Sequence, residues 1–336
     1  MGTNGLAELS NATFVAAIVL YAVAMFGYAI EYAFSRRASM AAESEVEHRE
    51  LVTVGAGGDL PADDAPEPDD APANNSGITP AQALAAGKVG LVAMIAAAVV
   101  HAATLALRAG AVGRWPWGNM FEFIVALCLV CVVVWTVVVA RGLVARRLGL
   151  FTMLAVVLLL GCATRVYTQA TPLVPALNSY WIAIHVLAAI IATGLFLTGF
   201  VTAVLHLIRR NYHRVTERGG TLRFPFTIAP RLPEESRLET LTWRLHVLAF
   251  PIWTFAVIAG AIWAREAWSR YWGWDPKEVW AFIAWVVYAA YLHSRATGAG
   301  GRRFAPWIAI LGWGVILFNL FGVNLFVHSM HSYAGV

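Results

Sequence analysis

Apolar residues in this chain fall into eight long blocks, not into the alternating or one-sided patterns of soluble elements. The blocks cover residues 12–34, 84–107, 119–140, 148–165, 181–208, 246–264, 277–296 and 305–328. Each holds roughly the 20 residues that a helix needs to cross about 30 Å of hydrocarbon. A backbone in hydrocarbon must satisfy its own hydrogen bonds, which favours helices. The pattern predicts an all-α, polytopic membrane protein of about eight transmembrane helices. The first block has no basic region before it, so it reads as a span and not as a cleaved leader. No internal repeat is visible.

Between the first two blocks lies "AAESEVEHRELVTVGAGGDLPADDAPEPDDAPANNSGITP". It carries ten of the chain's 20 acidic residues and five of its 14 prolines. Such a segment has too little apolar surface to bury a core. The expected organisation is therefore a first transmembrane helix at 1–35, a disordered acidic, Pro-rich cytoplasmic linker at 36–80, and a seven-helix core at 81–336. No separate soluble catalytic domain is expected. Composition agrees: 59% of residues are hydrophobic and 13% charged, with a mean hydropathy of +0.65, whereas soluble domains carry about 25% charged residues.

Lysine and arginine set the orientation. With the N-terminus outside, 18 of the 24 basic residues fall in inner loops and 6 outside. That predicts both termini on the extracytoplasmic side of a multi-pass cell-membrane protein. The net charge of +4 is spread among loops and is no sign of nucleic-acid binding. Cys128, Cys131 and Cys162 sit in apolar runs. The C-x-x-C spacing of the first two fits packing better than redox or metal work. There is no C-x-x-C-H motif, so the chain does not itself carry covalently attached c-type haem.

The chemistry gathers in "EAWSRYWGWDPKEVWAF", within a predicted external loop at 265–282. Six of 14 tryptophans fall between Trp263 and Trp285. An interfacial aromatic belt explains Trp263 and Trp285. Trp268, Trp272, Trp274 and Trp280, set beside charge, also suit a platform for a flat ligand. On that reading Gly273 clears space at the backbone, while Arg265, Arg270 and Lys277 pair with carboxylates. A porphyrin has the flat apolar body, acidic edge and metal that this mixture fits. Asp275-Pro276-Lys277-Glu278 reads as a helix start, with Asp275 as N-cap, Pro276 at the first position and Glu278 bonding back.

Histidines supply candidate iron donors. His185 lies one turn into the fifth block from outside, and His331 follows the last block, so both reach the level of the Trp loop. His328 is close enough in sequence to substitute for His331. His293, near the inner end of the seventh block, suggests a second, inner site, with His206 and His246 on the same side. His48 and His213 read as solvated loop residues, and His101 stays a buried polar group or a ligand. Asn119 and Glu122 open the third block, where Glu122 is either a solvated acid or part of a network beneath the loop.

"YWGWDPKEVWAF", followed by "YLHSR" and a terminal "HSYA", resembles the CcsA/ResC family of cytochrome c maturation System II, whose actinobacterial members are CcsB-type, within the haem-handling WWD superfamily. "WGNMFEF" is similar to that family's N-x-Y-E-S-like segment, with Phe121 for Tyr and Phe123 for Ser. The resemblance runs from about residue 84. It implies export or presentation of haem b and its attachment to an apocytochrome c carrying C-x-x-C-H. It implies His185 and His331 as axial ligands of an external haem, and His293 as a ligand of an inner haem completed by a ResB/Ccs1-like membrane partner. It also implies a subunit of a cytochrome c haem lyase complex working beside thiol-reducing proteins. Two other classes remain open at this stage: a bis-His membrane cytochrome b, and a haem-free transporter or scaffold.

Overall fold

A computed structural model describes residues 3–55, 78–171, 179–327 and 329–331. Every regular element among them is helical, in the order α1 (Thr3–Gly55), α2 (Pro80–Val112), α3 (Met120–Ala140), α4 (Gly149–Arg165), α5 (Tyr180–Glu217), α6 (Glu235–Trp268), α7 (Pro276–Ala296), α8 (Ala299–Arg302), α9 (Ala305–Leu317) and α10 (Val323–Phe326). A π-helical turn, Phe318–Gly322, joins the last two.

Among the described residues, seven segments are long and apolar enough to cross a membrane: Thr3–Phe34, Pro80–Val112, Met120–Ala140, Arg146–Arg165, Tyr180–Glu217, Glu235–Trp268 and Ala305–Phe326. The remaining expected span is α7. Its 21 residues reach about 30 Å at 1.5 Å per residue. Lys277, Glu278, His293 and Arg295 at its ends, with Trp280, Trp285, Tyr288 and Tyr291 between them, keep its hydropathy low. It nevertheless packs against α6 and α9 as a span would. Helix α1 also departs from expectation. It continues as helix to Gly55, into the stretch expected to be an unfolded linker, while residues 56–77 lie outside the described residues.

Helix starts follow local chemistry. Thr79 and Gln82 form a capping box before Pro80, Asn119 caps α3 through the Glu122 N–H, and Ser179 caps α5. Each side chain satisfies a backbone donor that the helix cannot.

Helices α1 and α2 touch along a seam of small residues. A Cβ on Gly27 would lie 2.7 Å from the Ala86 carbonyl oxygen, and one on Gly90 would lie 3.0 Å from that of Ala24. Close backbone approach of this kind replaces hydrophobic drive in lipid. Polar contacts fix the register: Ser10 donates to the Thr104 carbonyl at 3.0 Å and Tyr21 meets His101 at 3.1 Å. Arg146, just before α4, pairs with Glu31 of α1 at 3.0 Å. The N-terminal ends of α1, α3, α5 and α7 thus gather at one end of the bundle with the C-terminal ends of α2, α4, α6 and α10.

Gly27→Val drives two methyl groups into the α2 backbone. Overpacking of this kind costs about 1–3 kcal/mol. The thermal midpoint of the detergent-purified protein should drop by several degrees. An unchanged midpoint would show that the helices do not meet along this seam.

Candidate functional site

A cavity of about 200 Å³ lies at that end of the bundle, walled by α3, α5, α6, α7 and the α9–α10 segment. His185 and His331 both line it. Their rings lie 6.4 Å and 6.1 Å from the Trp263 ring, so the two imidazoles converge on one indole. Trp263 is 2% exposed, stacks on His185 at an interplanar angle of 4°, and meets Trp268 edge-on at 4.8 Å. Trp268 in turn meets the His331 ring at 5.1 Å.

Both imidazoles are held through Nδ1. His185 lies just over one turn into α5, and its Nδ1 is 2.7 Å from the Ala256 carbonyl oxygen. A carbonyl only accepts, so Nδ1 carries the proton and Nε2 the lone pair. Ala256, Gly260 and Trp263 share one face of α6, at i, i+4 and i+7. Gly260 is required there because a Cβ would lie 2.7 Å from two atoms of the His185 ring. One helical face thus supplies the acceptor, the clearance and the stacked indole.

His331 is held by Asp275. Its Nδ1 is 2.8 Å from Asp275 Oδ2, and the Met330 N–H donates to Oδ1 at 2.7 Å. Asp275 also caps α7 by accepting the Lys277 N–H at 3.2 Å, and Glu278 returns to the Asp275 N–H at 3.1 Å and to the Gly273 N–H at 2.8 Å. The expected helix start is therefore present in full. Burial pushes the Asp275 carboxyl up. The hydrogen bonds from His331 and the Met330 N–H outweigh that and hold it below the usual carboxylate range.

Of the other candidate residues, Trp268, Trp272, Lys277, Glu278 and Asn119 line the cavity. Gly273 does not line it: the space above it holds the Arg270 guanidinium, which a Cβ would meet, and not open room for a flat ligand. Arg270 also reaches Met330 Sδ. Arg265 is exposed and lies 5.7 Å from the Tyr271 ring. Trp274 is 75% exposed, with φ of 57°, and packs edge-on against Trp272. Trp280 meets the Phe318 ring at 4.2 Å, tilted by 42°. His293 is exposed, about 25 Å along α7 from Pro276. His328 lies outside the described residues.

Glu122 is no solvated acid. It is fully buried and bonded at 2.7 Å to Arg108, Arg114 and the Gly118 N–H. This network fastens the 113–118 turn that carries Trp117 into the cavity wall. His101, His206 and His246 are buried in contacts with Tyr21, Glu235 and the Thr242 carbonyl. Cys128 and Cys131 are buried in the core, and Thr198 donates to Cys131. No cluster among the described residues has the makings of a metal-ion site.

Sequence reasoning missed Trp117, Trp253 and Tyr271, which also line the cavity, and assigned the central Trp263 to an interfacial belt. The spacing of Ala256, Gly260 and Trp263 was the available signal. A groove of about 790 Å³ adjoins the cavity, sharing Trp117, Gly118 and Ile182 with it.

Residues 117–331 match the family model described as Cytochrome C assembly protein. The chain is 34% identical over 227 residues to the cytochrome c biogenesis protein CcsA of Chlamydomonas reinhardtii, covering 66% of this chain and 61% of that protein. It is 38% identical over 173 residues to CcsA of Guillardia theta, covering 49% and 58%. It is 33% identical over 304 residues to CcsA of Synechococcus sp. (strain JA-2-3B'a(2-13)), covering 73% and 85%. The chain therefore spans less than two thirds of the algal and Guillardia proteins, and most of the Synechococcus one. The family match takes in the helices that wall the cavity, while α1 and α2 lie before it.

Glu122→Gln removes the charge facing two enclosed guanidiniums. Leaving a buried ion without its partner costs about 3–5 kcal/mol. The variant should lose most of its folded yield in detergent, and Glu122→Asp should recover part of it. A Glu122→Gln protein with the parent's melting midpoint would contradict this role.

Proposed function

The chain belongs to the cytochrome c assembly protein family, and from that premise we propose that its cavity receives haem b as cargo and presents it for attachment to the C-x-x-C-H segment of an apocytochrome c. The observation that carries this reading is the convergence of two Nδ1-anchored imidazoles, His185 and His331, on one aromatic cavity. An imidazole that donates from Nδ1 offers its Nε2 lone pair to iron, and the acceptor behind it fixes the ring plane. Indoles at Trp263, Trp268 and Trp272 suit the flat apolar body of a porphyrin.

Haem supplies the iron and the vinyl carbons to which client thiols add. The chain's own residues orient the cargo, enclose it and hold both faces of the iron. Asp275 positions His331, and the Ala256 carbonyl positions His185.

The reading extends to the membrane. In this reading the cavity and both termini face the extracytoplasmic side of the cell membrane, which the distribution of Lys and Arg supports. His293, exposed near the other end of α7, marks an inner haem site whose second ligand comes from a ResB/Ccs1-like partner, as in System II. Its exposure suits a ligand shared with another chain. Thiol-reducing proteins would keep the client's cysteines free.

His185→Ala and His331→Ala should each abolish covalent holocytochrome c, read by haem staining, while the protein still inserts at parental levels. Asp275→Asn keeps a hydrogen-bonding side chain beside His331 and should reduce maturation only in part. Normal maturation in either alanine variant would remove the assignment.

A further inference from the structure

We propose that Lys277, with Asn324 and Asn319, forms a carboxylate-binding wall of the cavity and fixes the acidic edge of the cargo there. The proposal rests on the haem reading, in which that carboxylate is a porphyrin propionate.

Three basic side chains of the Trp loop and its flank were candidates for this role. Arg265 is exposed beside Tyr271, and Arg270 lies over Gly273 and against Met330. Neither lines the cavity, whereas Lys277 does. Arg108 and Arg114, the nearest arginines on the α2–α3 side, are both committed to Glu122.

Lys277 Nζ donates to Asn324 Oδ1 at 2.6 Å, and no carboxylate among the described residues pairs with it. The two acids beside it in sequence are spent elsewhere. Asp275 holds Met330 and His331, and Glu278 holds the Gly273 and Asp275 N–H groups. An ammonium has three donors, and one is used here. The Asp275 charge lies near enough to favour this cation, but its hydrogen bonds go elsewhere. An ammonium beside apolar walls whose one hydrogen bond goes to a neutral amide is poorly compensated, and an anionic ligand would complete it.

The amides strengthen the case. Asn324 and Asn319 both line the cavity. Asn319 is 8% exposed, and its Oδ1 is buried without a hydrogen-bond partner. It sits in the π-helical turn, a feature that often marks functional sites because it re-aims side chains within a helix. Asn324 gives its NH₂ to the Leu320 carbonyl and Met120 Sδ, so its part is to hold the ammonium in place. The Asn319 amide can turn its NH₂ toward an anion, so one ammonium and one amide together offer donors to a carboxylate.

The experiment uses the full chain, purified in detergent, and two probes: iron protoporphyrin IX and its dimethyl ester, in which both propionates are neutral. Affinity and the bis-imidazole absorption spectrum are read for each. The parent protein should bind the free acid at least tenfold more tightly than the ester. Lys277→Met should lower free-acid affinity to that of the ester, leave ester affinity unchanged and keep the same spectrum. Lys277→Arg should recover most of the free-acid preference. Equal affinity of the parent protein for both probes would overturn the proposal, and this comparison needs no variant. A parallel loss of both probes in Lys277→Met would also overturn it, as a purely structural effect. A parent protein that binds neither probe, even with the partner co-expressed, would sink the haem reading with it.

Discussion

The carboxylate of Asp275 joins the two halves of this site. It starts α7 by capping the helix, and it holds the turn at 329–331 through the Met330 N–H and the His331 ring. Without it, the His331 ring loses the acceptor that fixes its Nδ1. A charged acceptor suits this task because its hydrogen bonds are shorter and stronger than those of neutral groups. The same side chain therefore defines where a helix begins and where the His331 ring points.

The rest of the bundle solves a related problem in a different medium. In a chain with few charges, each enclosed polar group needs a named partner. Glu122 with Arg108 and Arg114, Glu31 with Arg146, and Tyr21 with His101 each meet that requirement, and the last two tie elements distant in sequence. Small residues do the same job for the backbone, letting α1 and α2 close along Gly27 and Gly90.

What could be read from sequence divides along the same physical line. The Asp275 capping box was legible because its donors and acceptors lie within four residues of one another. The common level of His185 and His331 was legible because counting spans fixes depth. Partners across the bundle were not. Trp263 looks like a membrane belt until α6 is packed on α5, when it becomes the indole that both imidazoles approach. Gly273 looks like open space until Arg270 folds over it. Trp280 looks like part of a platform until α9 brings Phe318 against it. Helix α7 falls short as a span by composition because its aromatic residues carry polar tips, although packing gives it that place.

The two imidazoles are mounted on supports of unequal stiffness. His185 belongs to a long helix and is braced by a neighbouring helix along a whole turn. His331 lies beyond the last helix and is held by side-chain contacts, its ring by the Asp275 carboxylate and its neighbour Met330 by Asp275 and the Arg270 guanidinium. If those contacts let go, one jaw of the clamp swings away while the other keeps its grip. A group that must be gripped and later surrendered would leave through the side of the weaker fastening.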